Sequence, residues 1–262
     1  MKKLIKKLIE IKKFGVTAIK QSFEDEGASF HDVLVMRKIT SAAKVELNVK
    51  IGGCEAKNDI IFCRKIGVDS IVAPMVESSY AIKKFIQCFD KRNRHSLFVN
   101  LETDLALKRL SKIIKSPSFK MLKGIVIGRS DVAGSLGMTK ADVNSKKIYS
   151  RVYNSFKKIK YKNKKLVFKM GGSITPSSKN FIKKLYSKKL LHRIETRNVE
   201  ILLSKKSIEN LKQIILKAFE FEIDWLIYKK NSSITKKNRL LFLEYTKRIK
   251  EIKERFKKFK DE

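Results

Sequence analysis

Two carboxylates stand out by position. Glu102 closes the apolar run Leu97-Phe98-Val99-Asn100-Leu101, and Asp131 follows Ile125-Val126-Ile127-Gly128-Arg129-Ser130. An acid at the end of an apolar run is a partly desolvated anion that needs compensation. A hard divalent cation supplies it. Mg²⁺ or Mn²⁺ takes one or two carboxylates and leaves its other positions to water and substrate. Capping a helix N-terminus is the alternative use of a strand-end acid, and it applies especially to Asp131. Other polar groups follow apolar runs in the same way. Arg129 offers a guanidinium that either grips a substrate carboxylate or phosphate or pairs with Glu102 or Asp131. Gly171-Gly172-Ser173 reads as a backbone anion nest or as a plain turn. Glu195 and Arg197 either face the same space or pair with each other.

Such groups converge only if a scaffold gathers the ends of many strands. β-Branched runs at 16–20, 45–51, 70–75, 97–101, 124–127, 166–170, 193–196 and 199–203 predict strands. Amphipathic patterns at 30–43, 56–66, 80–89, 104–114, 145–159 and 178–186 predict helices between them. Strands that are apolar on both faces and alternate with helices argue for parallel βα units. About eight units point to an α/β fold, a (β/α)8 TIM barrel, with an open doubly wound sheet as the alternative. In a barrel, residues at the C-terminal ends of the strands face the active site. Residues 1–203 are assigned to the barrel. Residues 204–262 lack Gly and Pro and predict a C-terminal helical extension, with helices over 208–228 and 238–260. The last helix is basic and amphipathic, so the extension is expected to pack on the barrel or on a neighbouring subunit.

Composition narrows the classes. The 262 residues carry 61 basic and 26 acidic side chains, a formal charge of +35. That charge alone suggests a polyanionic partner. However, lysine far exceeds arginine, which favours solvated surface over phosphate forks. Residues 205–262 hold 17 basic and 9 acidic groups, close to their proportional share, so the charge is not concentrated in one arm. Nucleic acid is therefore not the expected partner. No apolar run is long enough to span a membrane. The N-terminal Met1-Lys2-Lys3-Leu4-Ile5 never extends into a signal-peptide core. Three cysteines without CxxC spacing indicate neither a disulfide framework nor a zinc site, and a cytoplasmic protein is expected.

The segments Phe23-Glu24-Asp25-Glu26-Gly27, Val45 to Gly53, Ile71 to Ser78, Val99 to Thr103 and Gly124 to Gly137, in this order and spacing, resemble the HpcH/HpaI aldolase and citrate lyase beta-subunit family. The resemblance spans roughly residues 10–203. It implies a (β/α)8 fold and divalent-metal chemistry on the C–C bond beside a 2-oxo acid or acyl thioester. It implies Glu102 and Asp131 as the metal ligands. Lys50 stands where the family has an arginine that steadies an enolate oxygen, so it keeps the charge without the fork. Glu26 matches an acidic position, and Gly27 stands where many members carry a histidine base. His31, four residues on, is either a stand-in or a surface or capping histidine. Arg129 replaces a usual proline.

The expected function is a metal-dependent carbon–carbon lyase, aldolase-like, acting on a 2-oxo acid through a metal-stabilised enolate. The expected catalytic residues are Lys50, Glu26 and Arg129. The expected substrate-binding residues are Lys50, Pro74, Gly128, Ser130 and Asp131, with the backbone N–H groups of Ser130 and Asp131 on the carboxylate. A citrate-lyase-like acyl-CoA lyase, a barrel that has lost catalysis with its histidine, and a Schiff-base route through Lys50 are the rival readings. A homo-oligomer is expected, with the terminal helices between subunits.

Overall fold

The computed structural model describes residues 1–90 and 93–261. Eight strands, β1 (Val16–Ser22), β2 (Glu46–Lys50), β3 (Ser70–Ala73), β4 (Ser96–Asn100), β5 (Gly124–Gly128), β6 (Val167–Gly171), β7 (Arg193–Glu195) and β8 (Val199–Leu202), close into a barrel in chain order. The helices up to β7 are α1 (Lys2–Lys12), α2 (Phe30–Ala43), α3 (Lys57–Ile66), α4 (Ser79–Gln87), α5 (Asp104–Lys108), α6 (Leu110–Ile113), α7 (Arg129–Ser135), α8 (Lys146–Lys162) and α9 (Lys179–Ser187). After β8 come α10 (Lys205–Glu209), α11 (Leu211–Lys230), α12 (Ser233–Lys236) and α13 (Arg239–Asp261). The closure of β8 onto β1 excludes the open sheet. Among the described residues no helix is long and apolar enough to cross a membrane.

Strands β1 to β7 pair in parallel, whereas β8 runs antiparallel to both β7 and β1. The cause is chain length. Only residues 196–198 separate β7 from β8, and a parallel return needs a crossover of roughly a dozen residues or more. The hairpin is closed by the Thr196 amide donating to the Val199 carbonyl at 2.9 Å. Local chemistry fixes other boundaries. Ser29 and Asp32 form a reciprocal cap that starts α2, and Ser78 and Ser145 cap α4 and α8. The stretch expected as one helix over 104–114 breaks at Arg109 into α5 and α6. Helix α1, absent from the sequence expectation, buries Leu4, Leu8 and Ile11, and Lys3 and Lys7 pair with Asp224 of α11.

Apolar packing divides into two parts. A large shell fills the space between strands and helices, while a small plug of Val72, Phe98 and Val126 sits inside the barrel. Below and beside the plug the interior is ionic. Lys169 Nζ lies 2.6 Å from Glu200 Oε2 and 3.9 Å from the Phe98 ring centre. Arg193 reaches Glu200 Oε1 at 2.5 Å, and Asn48 donates to Glu200 Oε2 at 2.8 Å. Helix α13 packs along α11, burying Tyr245, Ile249 and Ile252. It also crosses the mouth of the barrel, where Arg248 donates to the backbone carbonyls of Glu26 and Asp25 at 3.5 and 3.4 Å.

Candidate active site

The strand ends and α13 enclose a cavity of about 290 Å³ at the barrel mouth. Glu102 and Asp131 both line it. Gly128, at the end of β5, lies between them. A Cβ placed there would fall 2.8 Å from Glu102 Oε2 and 3.2 Å from Asp131 Oδ2, so only glycine leaves this space open. The two carboxylate oxygens therefore flank one point, as shared ligation requires. The other lone pairs of Glu102 are oriented by neighbours. The Met75 amide donates to Oε1 at 3.0 Å and Asn100 Nδ2 to Oε2 at 2.9 Å. Met75 holds φ at +49° to do so, a left-handed backbone that costs a side-chain-bearing residue on the order of 1 kcal/mol.

Electrostatics mark the same pair. Burial pushes the Glu102 carboxyl above its ordinary range, and the neighbouring Asp131 adds to this against the pull of Lys50. Burial likewise raises Asp131, with Asp25 and Glu24 adding to it against Lys50. Asn100 Oδ1 is buried without a partner among the described residues. Two acids that resist ionisation around one small gap, beside an open amide oxygen, suit a hard cation. Among the described residues no group of three or more His, Cys, Asp and Glu is placed to hold a metal ion.

Lys50, at the end of β2, lines the cavity with its ammonium 2.6 Å from Glu24 Oε2 and 3.5 Å from Asp25 Oδ1. Burial opposes its charge, but Asp25 and Glu102 outweigh it and raise the pKa. Burial also works against Asp25, yet Lys20 and Lys50 hold that carboxyl at about 2. Ser130 lines the cavity, its hydroxyl 3.0 Å from that of Ser173.

Three expected site residues lie elsewhere. The Arg129 guanidinium is fully buried and turned away from the cavity. It donates to the carbonyls of Gly171, Gly172 and Ser173 and to Asn144 Oδ1, stacks 4.9 Å over Phe181, and is drawn down to about 9 by burial. It is the pin that holds the loop after β6, and it pairs with neither Glu102 nor Asp131. Glu26 is buried, and both its carboxylate oxygens accept from Asn198 Nδ2, so its neighbour Asp25 takes the cavity wall instead. Pro74 is buried outside the cavity lining, its carbonyl facing Cys54 Sγ at 3.8 Å. Gly171-Gly172-Ser173 is a packed turn. Gly172 has φ +79°, and a Cβ there would lie 2.4 Å from the Ser130 nitrogen. Glu195 faces Lys20 at 3.4 Å, not Arg197. His31 is exposed on the first turn of α2, beside a different groove.

The cavity also recruits residues the sequence reading missed. Lys20 sits two residues inside the end of β1, a position given by the strand's two-residue alternation, and Asn100 is the last residue of β4. Arg248, Glu251 and Arg255 come from α13, and their spacing of three and four puts them on one helix face.

The fold and site can be set beside known proteins. The chain resembles the crystal structure of citrate synthase SbnG at a TM-score of 0.58 and 13% identity, covering 83% of this chain and 98% of that one. An HpcH/HpaI aldolase/citrate lyase family protein from Burkholderia cenocepacia J2315 matches at 0.57 and 12%, over 82% and 90% of the two chains. An HpcH/HpaI aldolase from Desulfitobacterium hafniense DCB-2 matches at 0.57 and 10%, over 81% and 88%. At these identities the structures share the fold. No match was found among curated proteins. A family model for HpcH/HpaI aldolase/citrate lyase matches residues 20–167, more than half of the chain and the stretch that carries Lys50, Glu102 and Asp131. The chain belongs to the HpcH/HpaI aldolase/citrate lyase family.

Proposed function

We propose that this protein is a divalent-metal-dependent carbon–carbon lyase of the aldolase type, acting on a 2-oxo acid whose enolate forms at the barrel mouth. The observation that carries the reading is the approach of Glu102 Oε2 and Asp131 Oδ2 to one point over Gly128. These two residues would hold Mg²⁺ or Mn²⁺. When bound, such an ion supplies Lewis acidity where negative charge develops on a keto oxygen.

The chain's own groups do the rest. Lys50 keeps a positive charge on the cavity wall, since Glu24 and Asp25 hold it protonated. That charge favours an enolate oxygen more than the neutral ketone, which is the differential stabilisation catalysis needs. The Ser130 hydroxyl is a donor for the substrate carboxylate. The absent side chain at Gly128 leaves room for the reacting carbon. Among the described residues that line the cavity there is no histidine, so a carboxylate or a water carries the proton at carbon. Helix α13 screens the site from bulk solvent, which strengthens these electrostatic terms. The volume of about 290 Å³ suits a small acid better than a coenzyme A thioester.

The test is exchange of the methyl protons of pyruvate in D₂O, followed by NMR. Exchange dependent on Mg²⁺ or Mn²⁺ is expected, with a loss of about 10³-fold in Glu102→Ala and in Asp131→Ala. Variants that exchange as fast as the parent would overturn the reading.

A further inference from the structure

Charge is spread evenly over the C-terminal extension but not over the wall of the barrel. No Asp or Glu occurs among residues 143–194, which hold 16 Lys and Arg, and none among 105–130, which hold seven. The first stretch, a fifth of the chain, thus carries +16 of the net +35. It contains α8 and α9, and the second contains α6. These helices lead into the adjacent strands β6, β7 and β5, so the parallel strand order sets them side by side on the outer wall.

An open groove of about 780 Å³ runs between them. Ile114, Tyr153 and Leu190, buried or half-buried, supply its apolar surface. Lys115, Lys157, Lys158, Lys162, Lys164 and Lys188 line it with exposed side chains, and none of the six forms an ion pair among the described residues. Lys157 and Lys188 lie 5.9 and 5.6 Å from the centre of the Tyr153 ring, and Lys162 lies 5.9 Å from that of Tyr161. Tyr161 is 82% exposed, an aromatic face bared to solvent. Past Lys115 the wall continues into a second depression bordered by Tyr80, Lys83 and Lys112. Neither depression has an acidic residue in its described lining. The groove lies at the end of the barrel away from the mouth, where α6, α8 and α9 finish before their strands begin, and it shares no lining residue with the mouth cavity.

A lone surface lysine is simply solvated, but soluble surfaces intersperse the two signs and this wall does not. Uncompensated ammonium groups beside open tyrosine rings match a chain that alternates phosphates with flat rings. Lysine lacks the fork that reads base edges, so the match is tolerant of sequence. A lipid surface fits less well, because α8 turns Ile148, Val152, Phe156 and Ile159 into the core and has no apolar row left to insert. A duplex keeps its base faces stacked away from Tyr161. We propose, contrary to the expectation from composition, that the groove between α6, α8 and the end of α9 binds single-stranded nucleic acid, with its lysines on the phosphates and Tyr153 and Tyr161 against the bases. This site is independent of the chemistry at the mouth.

The test is fluorescence anisotropy of a labelled oligothymidylate of about 20 nucleotides with the full chain, between about 50 and 200 mM KCl. Affinity should fall with salt at a log–log slope of about −4, six phosphate contacts at about −0.7 each. The triple variant Lys157→Gln, Lys158→Gln and Lys162→Gln should lower the slope by about 2 units and bind about 100-fold more weakly near 100 mM KCl. Tyr161→Ala should weaken binding about 10-fold with the slope unchanged, and Tyr161→Phe should bind like the parent. A control triple, Lys2→Gln, Lys6→Gln and Lys13→Gln, removes the same charge on and just after α1 and should bind like the parent. All these side chains are exposed, so the variants keep the fold. Equal losses in the two triple variants would mean that net charge alone attracts the oligonucleotide, and would overturn the assignment. No binding by the parent at the lowest salt, parent-like binding in Tyr161→Ala, or tighter binding to a duplex or to phosphatidylserine vesicles would overturn it as well.

Discussion

Two charge clusters lie along the same barrel axis and behave in opposite ways. In the interior, Glu200 is buried between Lys169 and Arg193, and each of its oxygens has a cation within 2.6 Å. Burial alone would raise its pKa, but the two cations win and hold the carboxyl below its ordinary range. At the mouth, Glu102 and Asp131 are also desolvated but form no ion pair among the described residues, and both are raised. The interior cluster is complete and serves the fold. The mouth pair shares its cavity with Lys50 but has no cation within ion-pair distance among the described residues, an arrangement that the proposed metal ion would complete. The difference distinguishes the two clusters where burial does not, since Glu102 and Glu200 are both almost wholly inaccessible.

The largest effect should come from breaking the complete cluster. Lys169→Ala leaves Glu200 buried with only Arg193, and loss of one partner of a buried pair costs about 3–5 kcal/mol. Urea unfolding should show this, whereas Lys169→Met combined with Glu200→Leu should lose far less, because no lone charge remains. A Lys169→Ala protein as stable as the parent would mean that the pairing does not hold the fold.

The pH dependence sharpens the contrast. A carboxyl raised in the folded state binds protons more tightly folded than unfolded, so metal-free stability falls as pH rises above the ordinary values of 4.5 for Glu102 and 3.8 for Asp131. A carboxyl lowered in the folded state, Glu200, stabilises above 4.5 and is lost only as pH falls below it. The double variant Glu102→Gln with Asp131→Asn should therefore gain stability over the parent at pH 8 and not at pH 4, measured as Tm without metal. Addition of Mg²⁺ should stabilise the parent more at pH 8 than at pH 5. Equal shifts at both pH values would remove the distinction between the clusters.

The smallest effect concerns the cover. Arg248→Ala removes two long hydrogen bonds to the carbonyls of Asp25 and Glu26 from a partly exposed side chain. The expected loss is under about 1 kcal/mol. Amide exchange in 239–261 should nonetheless quicken while exchange in β6 stays unchanged.

The sequence made the barrel legible because strands and helices alternate with distinct periods. It also held the sign of β8, since two predicted strands separated by two residues cannot run parallel, and the count of eight concealed that constraint. The approach of Glu102 and Asp131 at the barrel mouth was legible because each acid follows an apolar run. Arg129 was not, because its direction depends on the loop after β6, which supplies three carbonyls to it. Glu26 and Asp25 are adjacent, and only the hairpin carrying Asn198 decides which of them turns inward. The contribution of α13 depends on where a distant helix comes to rest, which no local pattern encodes.

The central claim is that Glu102 and Asp131 share one divalent ion, and Mn²⁺ titration followed by electron paramagnetic resonance addresses it most directly. The account predicts one Mn²⁺ bound per parent chain, with binding abolished in Glu102→Gln and in Asp131→Asn while both variants remain folded. Parent-like Mn²⁺ affinity in either folded variant would contradict it.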